Sequence, residues 1–333
     1  MRFDRLISTI DAHAAGEPLR IITAGIPPIH GATMTDRRRW MRDNLDHLRR
    51  ALLFEPRGHP DMYGAVLTPP VTPGADYGVI FLTNGGYSTM CGHGIIALTT
   101  VLIETGMFPA AGERAGIVYD SPAGPIRAEA TLAGDRVTAV SFRNVPAFVM
   151  HPGVEIETSA GRLTVPVAWG GASYALVEAA ALGLEVIPEH ARRLTDAGME
   201  IKRAVEATGA LAHPEQELHG LYGTILTGPP REPGGDGRNV TIYAEGAVDR
   251  SPCGTGTSAR LAWMHATGRI AIGQPWVHES ILGTAFTGTV VGRTEAGGVP
   301  AVETQISGRG FITGFHQFLF DPDDPTAGGF LVR

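Results

Sequence analysis

The sequence repeats itself. Its two cysteines open matching segments, Met90-Cys91-Gly92-His93-Gly94-Ile95-Ile96-Ala97 and Pro252-Cys253-Gly254-Thr255-Gly256-Thr257-Ser258-Ala259, both of the form C-G-x-G-x-x-A. Each runs on through an apolar helical pattern to a glycine 15 residues past its cysteine, Gly106 or Gly268. The cysteines lie 162 residues apart in a chain of 333. Upstream, Met62-Tyr63-Gly64-Ala65-Val66-Leu67-Thr68 echoes Leu221-Tyr222-Gly223-Thr224-Ile225-Leu226-Thr227 at an offset of 159, and Gly16-Glu17-Pro18 echoes Gly171-Ala172-Ser173 at 155. Offsets that drift slowly are what loop insertions produce in a duplicated chain. The period is far too long for a solenoid, so the pattern predicts two similar domains, each contributing one cysteine, as the length also suggests.

Local signals fit that division. Tyr77-Gly78-Val79-Ile80-Phe81-Leu82 and Asn239-Val240-Thr241-Ile242-Tyr243 read as buried strands, each followed by a Gly-containing turn and a C-G-x-G helix start. Ile95, Ile96, Leu98, Val101 and Leu102 fall on one helical side, with Gly106 as C-cap; Ala259, Leu261, Ala262, Met264 and His265 lead likewise to Gly268. A helix is expected from Thr35 to Leu53, capped by Thr35 or Asp36, with Trp40, Leu45, Leu48 and Leu52 as its apolar stripe. Another is expected from Pro188 to Ala207, stopped by Gly209, and the Gly/Pro-rich run from Gly228 to Gly237 reads as a surface loop. Short apolar runs between Gly and Pro elsewhere read as many strands.

Composition narrows the chemistry. Lysine occurs once, as Lys202, against 26 arginines. It sits in an ordinary helical stretch, which argues against a pyridoxal-phosphate Schiff base. Two cysteines in a cytosolic chain are not expected to form a structural disulfide, nor can they make a Cys-rich zinc site. The histidines show no H-E-x-x-H-like spacing, so no metal is expected. The net charge is −7 and the longest basic run is Arg37-Arg38-Arg39, read as part of a solvated helix face, so nucleic acid is not an expected partner. No apolar stretch approaches the roughly 18 residues of a membrane span. Met1-Arg2-Phe3-Asp4-Arg5 has no signal-peptide character, and a cytoplasmic location is expected.

A cysteine in the first turn of a helix meets the positive end of the dipole, which favours its thiolate and predicts a lowered pKa. Gly92 and Gly254 let a ligand approach the backbone closely, and the free N–H groups after each cysteine can bind a carboxylate. Two such helix starts facing one ligand would set a sulfur on either side of the carbon next to the carboxylate. Inversion of a chiral α-carbon needs that arrangement: one thiolate removes a proton from one face while one thiol supplies a proton to the other.

The motifs resemble the proline racemase family, which includes hydroxyproline 2-epimerases and trans-3-hydroxy-L-proline dehydratases. Asp11-Ala12-His13 with Gly16-Glu17-Pro18, Glu55-Pro56-Arg57-Gly58-His59, Met90-Cys91-Gly92-His93 and Asp249-Arg250-Ser251-Pro252-Cys253-Gly254-Thr255-Gly256-Thr257 carry the resemblance, from about residue 7 to the C-terminus. It implies a diaminopimelate epimerase-like α/β (α+β) fold. Such a fold has two pseudo-symmetric domains, each a β-barrel-like sheet around a central helix, with the active site in the interdomain cleft. The implied domains are 1–135 plus 311–333, carrying Cys91, and 136–310, carrying Cys253. By the same resemblance Cys91 and Cys253 are the catalytic acid/base pair. His93 and Asp249 orient the thiols and the substrate amine, and the N–H groups of Gly92, Gly254 and Thr255 hold the carboxylate. Tyr63 and Tyr243 line the ring pocket, where proline racemases tend to carry phenylalanine, so a ring hydroxyl on the substrate is expected to be tolerated. No metal or organic cofactor, a small imino-acid substrate and a homodimer are also implied.

The subfamily is divided. Pro60-Asp61-Met62-Tyr63-Gly64, Leu221-Tyr222-Gly223-Thr224-Ile225-Leu226 and Asp321-Pro322-Asp323-Asp324-Pro325 resemble the dehydratase branch, which normally has threonine where this chain has Cys253. Elimination needs one base, whereas inversion needs a second acid, and Cys253 restores it. Racemisation or 2-epimerisation is therefore preferred, with dehydration of trans-3-hydroxy-L-proline as the alternative and a non-catalytic amino-acid-binding relative third. Plainer readings exist for single residues. A cysteine is often a small core hydrophobe, His93 a core histidine, Asp249-Arg250 a surface ion pair, and Tyr63 and Tyr243 ordinary sheet residues. Gly254-Thr255-Gly256 lacks both the dinucleotide spacing and the P-loop lysine.

Overall fold

The computed structural model describes residues 3–211 and 220–332; Met1 and Arg2 of the expected leaderless start lie outside them. The chain divides into two units, Met1–Ser141 with Arg309–Arg333, and Phe142–Gly308. No helix among the described residues is long and apolar enough to cross a membrane.

The first unit opens with a hairpin of β1 (Arg5–Ala14) and β2 (Glu17–Ala24), turned at Ala15 and Gly16, both at positive φ. Helix α1 (Met34–Leu53) leads into β3 (Tyr63–Thr68), which runs parallel to β2 and antiparallel to β4 (Tyr77–Thr83). Next come β5 (Gly86–Ser88), α2 (Gly92–Glu104), β6 (Arg114–Ser121), β7 (Gly124–Ala133) and β8 (Arg136–Arg143).

The second unit repeats this order. It consists of β9 (Phe148–Thr158), β10 (Gly161–Trp169), β11 (Ser173–Glu178), α3 (Ala191–Ala207), β12 (Gly223–Gly228), β13 (Gly237–Tyr243), β14 (Ala247–Val248), α4 (Gly254–Ala266), β15 (Pro275–Glu279), β16 (Ala285–Ala296) and β17 (Val299–Gly308). The pairings recur as well: β12 is parallel to β11 and antiparallel to β13, as β3 is to β2 and β4. The last strand, β18 (Gly310–Phe320), pairs antiparallel with β1, as β9 does with β10. The C-terminal segment thus fills in the first unit the place that β9 holds in the second.

The central helices explain why the repeat is so apolar. Every residue of α2 from Gly92 to Ile103 is buried, because strands β1, β2, β7 and β18 pack around it. Helix α4 is surrounded in the same way by β9, β10, β11, β16 and β17. An all-round apolar helix is the expected solution for such a position. The outer helices α1 and α3 bury one face only.

Helix α1 begins one residue earlier than expected. Its N-cap is Thr33, which forms a capping box with Asp36: Thr33 Oγ1 accepts from Asp36 N at 3.0 Å while the Asp36 carboxylate accepts from Thr33 N at 3.1 Å. Asp36 is therefore the third helical residue, not the cap. Met41 is fully buried, whereas Trp40 lies at the edge against His30. Pro188–His190 form a 3₁₀ turn ahead of α3, so the expected helix starts three residues late. Gly106 and Gly268 lie just past the caps Thr105 and Thr267, at φ 73° and 71°.

Candidate active site

Each cysteine is the N-cap of its central helix, and its sulfur performs the capping. Cys91 Sγ accepts from Gly94 N at 3.2 Å, and Cys253 Sγ accepts from Gly256 N at 3.3 Å. The glycine three residues on is required by packing. A Cβ at Gly94 would lie 2.5 Å from the Phe81 ring and 2.8 Å from Cys91 Sγ; one at Gly256 would lie 2.7 Å from Ile225 Cδ1 and 2.9 Å from Cys253 Sγ. The second glycine of C-G-x-G thus makes room for sulfur. Gly92 and Gly254 open the helices, so their N–H groups, with those of His93 and Thr255, precede the first intrahelical bonds, Ile95 N to Cys91 O and Thr257 N to Cys253 O.

Around Cys91 the partner is His93. Its ring nitrogens lie 3.3 and 3.6 Å from Cys91 Sγ, and Tyr63 packs edge-on at 4.8 Å. Burial pushes the His93 pKa down to about 3, with the Pro18 carbonyl working against it. A carbonyl can only accept, so His93 presents its one N–H to Pro18 and keeps the other nitrogen as an acceptor toward sulfur. At neutral pH the His93 imidazole is uncharged.

Around Cys253 the surroundings differ. Asp249 is buried and accepts from Ser251 N at 2.8 Å and Ser251 Oγ at 2.7 Å, while Ser251 Oγ accepts from Cys253 N at 3.1 Å. This chain of bonds turns the backbone sharply, and Cys253 sits at φ 67°, a conformation that costs an L-residue about 1–3 kcal/mol. Cys91 is extended, at φ −145°. The Cys253 thiol faces Tyr174 Oη at 3.6 Å and Thr255 Oγ1 at 3.7 Å, and those two oxygens are 2.6 Å apart. Burial raises Asp249 to about 6, against the Ser251 bonds that lower it. Burial, and then the Asp249 carboxylate, push the Cys253 thiol up to about 12. The helix-dipole expectation of a lowered thiol pKa is corrected here: desolvation outweighs the dipole, and Cys253 is a protonated acid at neutral pH.

Tyr243 is buried and stacks on Tyr222 at 5.5 Å; Tyr222 meets Tyr174 edge-on at 5.7 Å. A row of three tyrosines therefore ends at Cys253. Sequence reasoning did not single out Ser251, Tyr174 or Tyr222 as site residues. Tyr222 was the most accessible, since it matches Tyr63 in the repeat; Tyr174 directly follows Gly171-Ala172-Ser173. Asp249 is buried and bonded to Ser251, unlike a surface ion pair. No group of three or more His, Cys, Asp or Glu that could hold a metal ion occurs among the described residues.

Comparison with known proteins bears on this pair of half-sites. Residues 9–331 match the proline racemase family. The chain belongs to that family. It is 47% identical to a trans-3-hydroxy-L-proline dehydratase of Bacillus cereus and 42% identical to a proline racemase of Clostridioides difficile, over the full length of both chains in each case. A hydroxyproline epimerase structure from Agrobacterium vitis with bound trans-4-hydroxy-L-proline superposes with a TM-score of 0.93 at 35% identity, covering all of this chain and 96% of the other.

Two of the proline racemase motifs serve as scaffolding here. Asp11 holds Arg20 in a buried ion pair of 2.8 Å, and Arg20 also donates to Leu52 O at 2.6 Å. Arg57 donates to Ala327 O at 3.1 Å and stacks over Phe320 at 4.3 Å, tying the C-terminal segment to the first unit. His13 Nδ1 accepts from Gly16 N at 3.2 Å, bracing the β1–β2 turn.

Proposed function

We propose that this member of the family is a racemase or 2-epimerase that inverts the α-carbon of proline or hydroxyproline without a cofactor, with Cys91 and Cys253 as the two acid/base groups. One observation carries the reading. The two sulfurs occupy the same position in the two repeated halves, each a buried N-cap beside helix N–H groups suited to a carboxylate. Cys253 enters as the acid, its proton held by burial and by Asp249, while Cys91 enters as the thiolate base, its sulfur held by the Gly94 N–H. Abstraction of the α-proton by Cys91 leaves a planar carbanion-like centre, and the Cys253 thiol then protonates its opposite face. Proton count is conserved, and the roles exchange in reverse. The N–H groups of Gly92, Gly254 and Thr255 stabilise the carboxylate as charge flows into it. His93 and Asp249 bind the substrate amine, and Tyr63 and Tyr243 line the ring pocket. The proposed assembly is a homodimer, favoured by the exposed Leu6, Phe315 and Leu319 on paired strands β1 and β18; sedimentation equilibrium at the monomer mass would refute it.

The identity to a trans-3-hydroxy-L-proline dehydratase favours a second reading, in which one base removes the α-proton and the 3-hydroxyl leaves. Proton NMR in deuterium oxide tests both, with L-proline, trans-4-hydroxy-L-proline and trans-3-hydroxy-L-proline offered separately. Loss of the α-proton signal with build-up of the opposite configuration is expected. Conversion of trans-3-hydroxy-L-proline to a pyrroline product alone would instead establish the dehydratase. Cys253→Ser should abolish inversion and leave any elimination largely intact.

A further inference from the structure

The two halves differ where duplication predicts sameness. In the first unit, the space beside α2 and β6 is filled by Leu98, Val101, Leu102, Ile117 and Tyr119, all exposed by 1% or less. The Tyr119 hydroxyl meets Thr99 Oγ1 at 2.9 Å, so no polar group there is wasted. The 162-residue offset of the central helices, and the matching registers Tyr77↔Tyr119 and Gly237↔His278, put Arg260, Trp263, Met264, Trp276 and His278 at the equivalent positions. A packed apolar core has become a cation, two indoles, a thioether and an imidazole.

These side chains do not close the space. Four of the five line a cavity of about 420 Å³, with Glu178 and Arg269 exposed at its rim. Arg260 Nη1, Trp276 Nε1 and both ring nitrogens of His278 are buried without a hydrogen-bond partner. Such groups are costly and are normally satisfied. Room is also kept for the cation. Gly237 stands where the first half has Tyr77, and a Cβ there would come 2.9 Å from Arg260 Nη2 and 3.4 Å from the Trp276 ring. Burial lowers Arg260 to about 10, which leaves it charged at neutral pH.

We propose that this cavity is a second binding site, separate from the cysteines, for a small organic carboxylate with a flat apolar body. Arg260 and Trp276 Nε1 can only donate, so the ligand must supply acceptors. A guanidinium fork matches a carboxylate, and at the rim the Arg269 cation offsets the Glu178 carboxylate. The two indoles and Met264 offer faces to a planar apolar body, which an inorganic anion lacks. The volume is that of an ordinary small-molecule pocket. The assignment does not depend on which reaction the cysteines perform.

Benzoate is a suitable probe, titrated against tryptophan fluorescence, because two of the four tryptophans line the cavity. The titration is repeated with excess pyrrole-2-carboxylate to occupy the cysteine site, with benzylamine, and with inorganic phosphate. Saturable benzoate binding that persists beside pyrrole-2-carboxylate, with no response to benzylamine and at least tenfold weaker binding of phosphate, is expected. Arg260→Leu, which installs the residue of the first half, should weaken benzoate at least tenfold, retain turnover, and raise Tm by a few degrees as a largely desolvated cation with an unsatisfied Nη1 is removed. Trp276→Phe should weaken it at least threefold and serves if Arg260→Leu does not fold. The proposal is overturned by absence of saturable benzoate binding, by unchanged affinity in the variants, or by phosphate binding as well as benzoate. A changed sedimentation coefficient in Arg260→Leu without a benzoate signal in the wild type would make the cavity a subunit contact and likewise overturn it.

Discussion

Cys253 and Cys91 look alike in sequence but carry different local energetics. Cys253 holds φ 67°, which glycine adopts freely and alanine does not. Cys253→Gly should therefore unfold at a higher temperature than Cys253→Ala, by a difference of about 1 kcal/mol at the low end of such strain; equal Tm values would show that the turn stores none. Acid stability is also decided residue by residue. His93 is lowered from 6.5 to about 3, so its contribution is present above pH 6.5 and is lost as pH falls through about 3. His278, lowered by burial and by Arg260, acts in the same direction. Asp249 is raised from 3.8 to about 6, so its contribution is present below 3.8 and is lost as pH rises through about 6. The two histidines outnumber the opposing carboxyl, and stability should fall between pH 7 and 4.5. Urea unfolding at both pH values should show that loss reduced in His93→Gln and enlarged in Asp249→Asn, each by about 1 kcal/mol or more. Parallel pH profiles in all three proteins would contradict these assignments.

At the scale of elements, the start of a central helix is a sulfur-holding device. The cap needs a cysteine, an N–H three residues on, and no side chain at that third residue. Gly94→Ala must displace either the Phe81 ring or the Cys91 sulfur, since both lie under 3 Å from the new Cβ. A reacting group misplaced by about 1 Å costs on the order of 100-fold in rate. Gly94→Ala and Gly256→Ala should thus lower kcat by about that factor while circular dichroism stays unchanged. Retention of kcat in both would mean that sulfur position is set elsewhere.

At the scale of the molecule, the duplication gives each half one helix-capping cysteine, and the proposed inversion draws both from a single chain. Mixing Cys91→Ala with Cys253→Ser should then restore no activity, even after co-refolding. Recovery approaching a quarter of wild-type turnover would instead assign the two sulfurs to different subunits.

The sequence alone determined the repeat, the placing of one cysteine at each central helix, the buried strands before them and the family. All of these depend on local pattern: glycine spacing, 3.6-residue periodicity and short apolar runs survive without knowledge of what lies across the core. The capping box at Thr33 was within reach too, but Thr35 offered a competing cap two residues later. Tertiary structure alone decided the ionisation of the site. Helix position predicted a lowered thiol pKa; burial beside Asp249 reversed it for Cys253, because desolvation depends on every neighbour that excludes water. The roles of Tyr174 and Ser251, and the unsatisfied Nη1 of Arg260 beside Trp276, were hidden for the same reason. They arise where strands distant in sequence meet one helix, and the repeat could only show where the halves align, not where their packing diverges.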